Sequence, residues 1–92
     1  MVPVRVYTTR ICGYCFAAKR FLADRSIPFE EIDVTGDASK RQWLVETTGL
    51  RTVPQIFVGD HAIGGYEEMR ALDARGGLEP LLRGEPAAAT GA

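Results

Sequence analysis

The stretch Thr8–Phe16, TTRICGYCF, holds both cysteines of the chain, Cys12 and Cys15, two residues apart. What flanks it decides the fold. Ahead of it, VPVRVYTT (residues 2–9) alternates Val2, Val4 and Val6 with other residues, the two-residue period of a strand with one buried face. Pro3 offers no N–H to a ladder, so this end of the strand belongs at an edge or outside the pairing. Behind it, CGYCFAAKRFLADRS (residues 12–26) carries good helix formers. Ala18, Phe21 and Leu22 share one face with Cys15 at helical spacing. The pattern predicts a helix over residues 13–25 that opens on the cysteine pair.

Reading outward, IPFEEIDV (residues 27–34) alternates Phe29, Ile32 and Val34 imperfectly and predicts a second strand. Asp37 is placed to cap a helix over ASKRQWLVETT, with Gly49 at its stop. PQIFVGDHAIGG (residues 54–65) reads as a hairpin turning at Gly59-Asp60, with Ile56–Val58 and Ala62-Ile63 as its arms. YEEMRALDARGG is a third helix ended by Gly76-Gly77, and LEPLLR a short last one. The order is β-α-β-α-β-β-α, with no internal repeat. A β-α-β start implies parallel strands joined by a right-handed crossover, and the late hairpin adds an antiparallel pair. The expected class is α/β, a mixed four-stranded sheet flanked by helices. One domain is expected over residues 1–84, followed by a flexible C-terminal tail over residues 85–92, small and nearly uncharged.

The totals exclude several functions. With 46% hydrophobic and 25% charged residues the 92-residue chain has an ordinary globular composition. A net charge of −1 gives no global field for nucleic acid or an anionic membrane, so any anion must be read by local charge and backbone dipoles. MVPVRVYTT has no apolar run fit for a signal peptide, and no segment approaches the roughly 20 apolar residues that span a bilayer. A cytoplasmic setting is expected, where paired cysteines are more often catalytic or metal-binding than structural.

Three chemistries compete for the pair. As a staple it closes a loop of a few residues, for a chain-entropy gain of roughly 2 kcal/mol at best. As a zinc site it lacks ligands: two thiols and the single His61 do not make the usual set of four. As a redox centre it is well placed. Cys12 falls at a helix N-terminus, where unpaired N–H groups and the positive end of the dipole favour a thiolate. Such thiols have pKa values lowered to about 3.5–7.5. Arg10 is a candidate cationic neighbour. Cys15, one turn inside the helix and turned towards Ala18 and Leu22, should be less exposed, which suits an attacking and a resolving thiol.

At this point the sequence resembles the glutaredoxins, the glutathione-using branch of the thioredoxin fold. The resemblance covers about Val4 to Arg83 and rests on YTTRICGYC, TVPQIFV (residues 52–58), IGGYEE (residues 63–68) and the ending ALDARGGLEPLL, in that order. The ending is close to that of the small bacterial dithiol type. Trp-Cys-Gly-Pro-Cys, typical of thioredoxins, is absent: Ile11 precedes the pair and Tyr14 replaces the proline.

The resemblance implies a glutathione site. A cis Val53–Pro54 bond would face the cysteines, with Thr52 beside it and the Val53 backbone pairing with the tripeptide as a short strand. Gly65, Tyr66, Glu67 and Glu68 would hold the γ-glutamyl group, backbone N–H groups taking its carboxylate and an acidic side chain its ammonium. Both glutamates also have a plain structural reading, as acidic residues complementing a helix dipole. Arg41 matches a basic position for the glycine carboxylate, with Lys40 or Arg10 as helpers. Thr9 stands where relatives commonly have lysine. Tyr14 should lie over the site; Trp43 and His61 are assigned to structure.

The implied activity is a glutathione-dependent thiol-disulfide oxidoreductase. Cys12 attacks the glutathionyl sulfur of a glutathionylated protein, and Cys15 resolves mixed disulfides formed with protein disulfides. Glutathione is the cosubstrate, glutathionylated or disulfide-containing proteins are the partners, and the chain is expected to work as a monomer. Gly13 in place of the proline common in dithiol members raises an alternative. Two chains would bridge a [2Fe–2S] cluster through Cys12 of each and two glutathiones. A third possibility, reduction by thioredoxin reductase, fits poorly with the TVP and GGYEE elements, which such a protein does not need.

Overall fold

Val4 and Val6 turn to one side of the first strand and Tyr7 to the other, and each side finds its own core. The computed structural model describes residues 1–85. The elements are β1 (Val4–Thr8), α1 (Gly13–Asp24), β2 (Glu30–Asp33), α2 (Ala38–Thr48), β3 (Gln55–Val58), β4 (His61–Gly64), α3 (Tyr66–Ala74) and α4 (Leu78–Leu82). The sheet order is β2-β1-β3-β4, with β1–β2 parallel and the other pairs antiparallel. This is the mixed four-stranded sheet expected.

The central strands β1 and β3 are covered on both faces. Val4, Val6, Ile56 and Val58 join Ala18 and Leu22 of α1, Met69 of α3 and Leu78, Leu81 and Leu82 of α4 in the larger core. Tyr7 and Phe57 pack with Val34 and with Leu44 of α2 in the smaller one. Trp43 stacks on Phe57 with ring centroids 5.8 Å apart, which agrees with its structural assignment. The crossover from β1 through α1 to β2 and the sheet-closing hairpin thus place three helices on one face and α2 on the other.

β2 differs from the simple alternation of its sequence. It is an edge strand paired only with β1, and Phe29 and Val34 flank it without belonging to it. Phe29 packs against the larger core while Ile32 and Val34 serve the smaller one. The pattern looked imperfect because its residues answer to two opposite faces. α2 is capped as expected: the Asp37 carboxylate accepts the Lys40 N–H at 3.0 Å, and Gly49 closes the helix in the left-handed region at φ 77°. Of the expected tail, only Glu85 falls within the described residues. Its N–H donates to the Pro80 carbonyl at 2.9 Å, and its carboxylate meets Arg83. Residues 86–92 lie outside the described part.

Candidate active site

Cys12 is the N-cap of α1. Its backbone is extended (φ −155°, ψ 106°) and its Sγ accepts the Cys15 N–H at 3.1 Å. The sulfur therefore occupies the position that a serine or aspartate oxygen takes in an ordinary cap, and the group best satisfied there carries negative charge. Cys15 is 2% exposed, whereas Cys12 is only half-buried. The two are joined as a disulfide with Cα atoms 5.2 Å apart. The asymmetry read from the sequence is present.

The Val53–Pro54 peptide is cis. The Val53 carbonyl oxygen lies 3.7 Å from Cys12 Sγ, so this backbone faces the reactive sulfur. Gln55 holds the loop in place. It is 2% exposed, and its amide donates to the Leu50 and Thr52 carbonyls at 2.9 and 3.0 Å and accepts from Thr48 Oγ1 at 2.9 Å. Every hydrogen-bonding capacity that a buried amide must satisfy is spent on fixing residues 48–52.

Arg41, Thr52 and Val53 come together along one groove of about 340 Å³, which also takes in Gln42, Arg51 and Gln55. Neither Arg41 nor Arg51 has an acidic side chain within ion-pair distance among the described residues. Lys40, the expected helper, is turned to Asp37 at 3.7 Å. Thr9 and Arg10 are not brought into this groove. They line a separate hollow with Ile11 and Thr35. The Arg10 N–H donates to Thr35 Oγ1 at 2.9 Å. Asp33 beside them is held below the usual carboxylate range, first by the Thr35 hydroxyl, then by the Thr35 N–H, with Arg10 and Lys19 adding positive potential. Part of the Arg10 field therefore falls on Asp33.

The other flank is the start of α3. Gly64 has φ 102°, and a Cβ there would stand 2.9 Å from Glu68, so glycine is required. A Cβ on Gly65 would approach the Pro54 carbonyl to 3.3 Å, which sets the helix start directly against the cis-proline loop. Glu68 Oε1 accepts the Gly65 N–H at 2.7 Å. Its carboxylate serves the helix itself, as in a capping box, while Glu67 is exposed and makes no ion pair among the described residues. The rings of Tyr14 and Tyr66 stand 6.2 Å apart across this flank, Tyr14 being 62% exposed.

A cap-position cysteine, a buried second cysteine and a facing cis-proline backbone form a dithiol centre open to a peptide. The glutaredoxin family model matches residues 4–63. The chain belongs to the glutaredoxin family. Glutaredoxin 3 of Escherichia coli K12 is 45% identical over 83 residues, covering 90% of this chain and all of that one. A glutaredoxin of Pseudomonas aeruginosa is 40% identical over 82 residues, covering 89% and 98%. Among solved structures, a buckwheat glutaredoxin–glutathione complex superposes with a TM-score of 0.83 at 28% identity, covering 90% of this chain and 78% of that one. The solution structure of a Brucella melitensis glutaredoxin gives 0.79 at 40% identity, covering 89% of each. The fold is the thioredoxin fold, and the activity is that of a glutathione-dependent thiol-disulfide oxidoreductase.

Sequence reasoning overlooked two residues that line the Arg41 groove. Gln55 reads as an ordinary strand residue, and only its place directly after Val-Pro hinted at a loop to be held. Arg51 directly precedes Thr52 and lines the same groove as Arg41; a cation adjoining the TVP element was the available signal.

Proposed function

We propose that Cys12 is the nucleophile and Cys15 the resolving thiol of a glutathione-using cycle, and that glutathione lies between the Arg41 groove and the start of α3. The observation that carries this is the setting of Cys12 Sγ, between the Cys15 N–H and the Val53 carbonyl. As a thiolate, Cys12 attacks the glutathione sulfur of a protein–glutathione disulfide. The S–S bond breaks, its electron pair leaves on the protein sulfur, which takes a proton from water, and Cys12–S–S–glutathione remains. A second glutathione thiolate attacks the glutathionyl sulfur, releasing glutathione disulfide and restoring the Cys12 thiolate. With a protein disulfide, Cys12 attacks first and Cys15 displaces the protein thiol, closing the Cys12–Cys15 bond.

Within this assignment Val53 pairs with the tripeptide backbone, flanked by Thr52 and Pro54. Arg41 takes the glycine carboxylate, and the N–H groups from Tyr66 to Glu68, left free at the start of α3 once Glu68 has taken the Gly65 N–H, take the γ-glutamyl carboxylate. Glu67 takes the ammonium, and Tyr14 and Tyr66 line the edge. Glu68 acts through the cap it makes. Thr9 and Arg10 border the site from their own hollow. We assign a monomer, one domain over residues 1–84, working in the cytoplasm where glutathione and glutathione reductase sustain the cycle. The [2Fe–2S] bridge gains nothing from a single chain. Among the described residues no three His, Cys, Asp or Glu side chains converge, so its remaining ligands would have to come from a second chain and from glutathione.

The test is intact and peptide mass spectrometry of Cys15→Ser mixed with glutathione disulfide. One glutathionyl adduct on Cys12 is expected, forming several-fold more slowly in Arg41→Ala. An adduct elsewhere, or none, contradicts the assignment.

A further inference from the structure

The segment that leads into the nucleophile is held from a single point. Thr9–Ile11 joins the end of β1 to Cys12, and its side chains give it little anchorage: Arg10 is exposed, and Ile11 is 97% exposed. Among the described residues, the backbone of these three makes one hydrogen bond, from the Arg10 N–H to Thr35 Oγ1 at 2.9 Å. The acceptor sits on a firm frame. Val34 to Asp37 form a tight turn in which the Val34 carbonyl accepts the Asp37 N–H at 3.0 Å, with Gly36 at φ 72°. Ahead of the turn, the Val34 N–H donates to the Thr8 carbonyl at 2.8 Å, and the Val34 side chain is buried in the smaller core. Behind it, Asp37 caps α2, the helix of Arg41. The Thr35 N–H is itself tied to Asp33 Oδ1 at 2.8 Å.

A threonine hydroxyl in a turn ordinarily bonds its own neighbourhood. This one is spent on a segment 25 residues away, and that segment ends on the reacting sulfur. Cys12 works as the cap of α1 only while the chain enters the helix with Cys12 extended, at φ −155° and ψ 106°, so that Sγ meets the Cys15 N–H. That bond and the dipole of α1 are what favour its thiolate. We infer that Thr35 is a positioning residue for the nucleophile: through the Arg10 N–H it fixes the entry into α1 and so keeps Cys12 Sγ in its cap position. The inference rests on the assignment of Cys12 as nucleophile made above. Thr35 acts through the Arg10 backbone and takes no part in the exchange itself.

The experiment takes reduced Cys15→Ser, whose single thiol is Cys12, as the parent and adds Thr35→Val or Thr35→Ser to it. Valine keeps the β-branched shape without the hydroxyl, whereas serine keeps the acceptor. Two rates are read at neutral pH, well below the thermal midpoint of the least stable variant. One is alkylation of Cys12 by iodoacetamide, the other its uptake of a glutathionyl group from glutathione disulfide. Thr35→Val should slow both by a common factor of roughly three to ten, the worth of one ordinary hydrogen bond, and Thr35→Ser should stay within about twofold of the parent. Equal rates in the parent and Thr35→Val overturn the inference. Thr35→Ser as slow as Thr35→Val also overturns it, because the effect would then belong to the methyl group. Slowing of glutathionyl uptake alone does the same, since it would place the effect in the glutathione groove. A parent that is alkylated at Cys12 yet takes up no glutathionyl group would instead refute the glutathione assignment, and the alkylation rates would still decide the role of Thr35.

Discussion

The smallest decisive feature is a sulfur atom used as a helix cap. Cys12 Sγ takes the Cys15 N–H at 3.1 Å, and a charged acceptor makes a stronger bond there than a neutral one. In the reduced chain at neutral pH, iodoacetamide should therefore alkylate Cys12 well before Cys15, with peptide mapping as the check; faster labelling of Cys15 would contradict the cap assignment. The two glutamates of α3 divide in the same way. Glu68 bonds the Gly65 N–H at 2.7 Å, so Glu68→Ala should lower stability by about 1 kcal/mol, the usual worth of a cap. Glu67→Gln should leave the thermal midpoint alone and raise the KM for glutathione several-fold. The sequence showed two acidic residues in a first turn; the one that turns back is Glu68, three residues after the Gly65 N-cap, as a capping box requires.

At the scale of elements, two ties position the site, one within a loop and one between distant segments. Gln55 fixes the loop before Pro54, and Gln55→Leu would take the side-chain partner from the Leu50 and Thr52 carbonyls, while Thr48 Oγ1 keeps the Leu44 carbonyl. Each such group costs about 1–3 kcal/mol, so denaturant unfolding should show a loss of that order, with a raised KM for glutathione because Val53 is no longer held. The second tie runs from Thr8 Oγ1 to Glu31 at 2.8 Å and from Lys19 to the same carboxylate at 2.9 Å, fastening β2 to β1 and α1. The Lys19 bond first, then the Thr8 bond, hold Glu31 below its usual value of 4.5. A carboxyl lowered in the folded state stabilises above its unfolded pKa and loses that contribution as pH falls through the folded one. Glu31→Gln should thus cost up to about 1 kcal/mol at pH 7, the upper range for an exposed pair. The difference from wild type should close in acid below the usual value. A gap that persisted there would assign the effect to packing. Strands and helices were legible from period and caps, since those are local signals. The second tie was not, because Thr8 and Glu31 lie 23 residues apart and no local pattern links them.

Across the whole molecule, the β-α-β start and the hairpin bring the end of β1, the cis-proline loop before β3 and the N-termini of α1 and α3 to one place. The order of the elements and the dithiol at the helix start followed from the sequence, and the resemblance named the glutathione cradle. The grouping of its cations did not follow. Arg41 and Arg51 share a groove while Arg10 turns to the Thr35 side, a separation that only the folded loops create. That the Cys12 sulfur alone carries the glutathione reaction, with Cys15 needed only to resolve protein disulfides, is tested most directly by glutathione-dependent turnover of a glutathionylated peptide. Wild type, Cys12→Ser and Cys15→Ser are compared. Cys12→Ser should be inactive and Cys15→Ser should retain at least a large fraction of wild-type turnover; a Cys15→Ser variant as dead as Cys12→Ser, or an active Cys12→Ser, would contradict it.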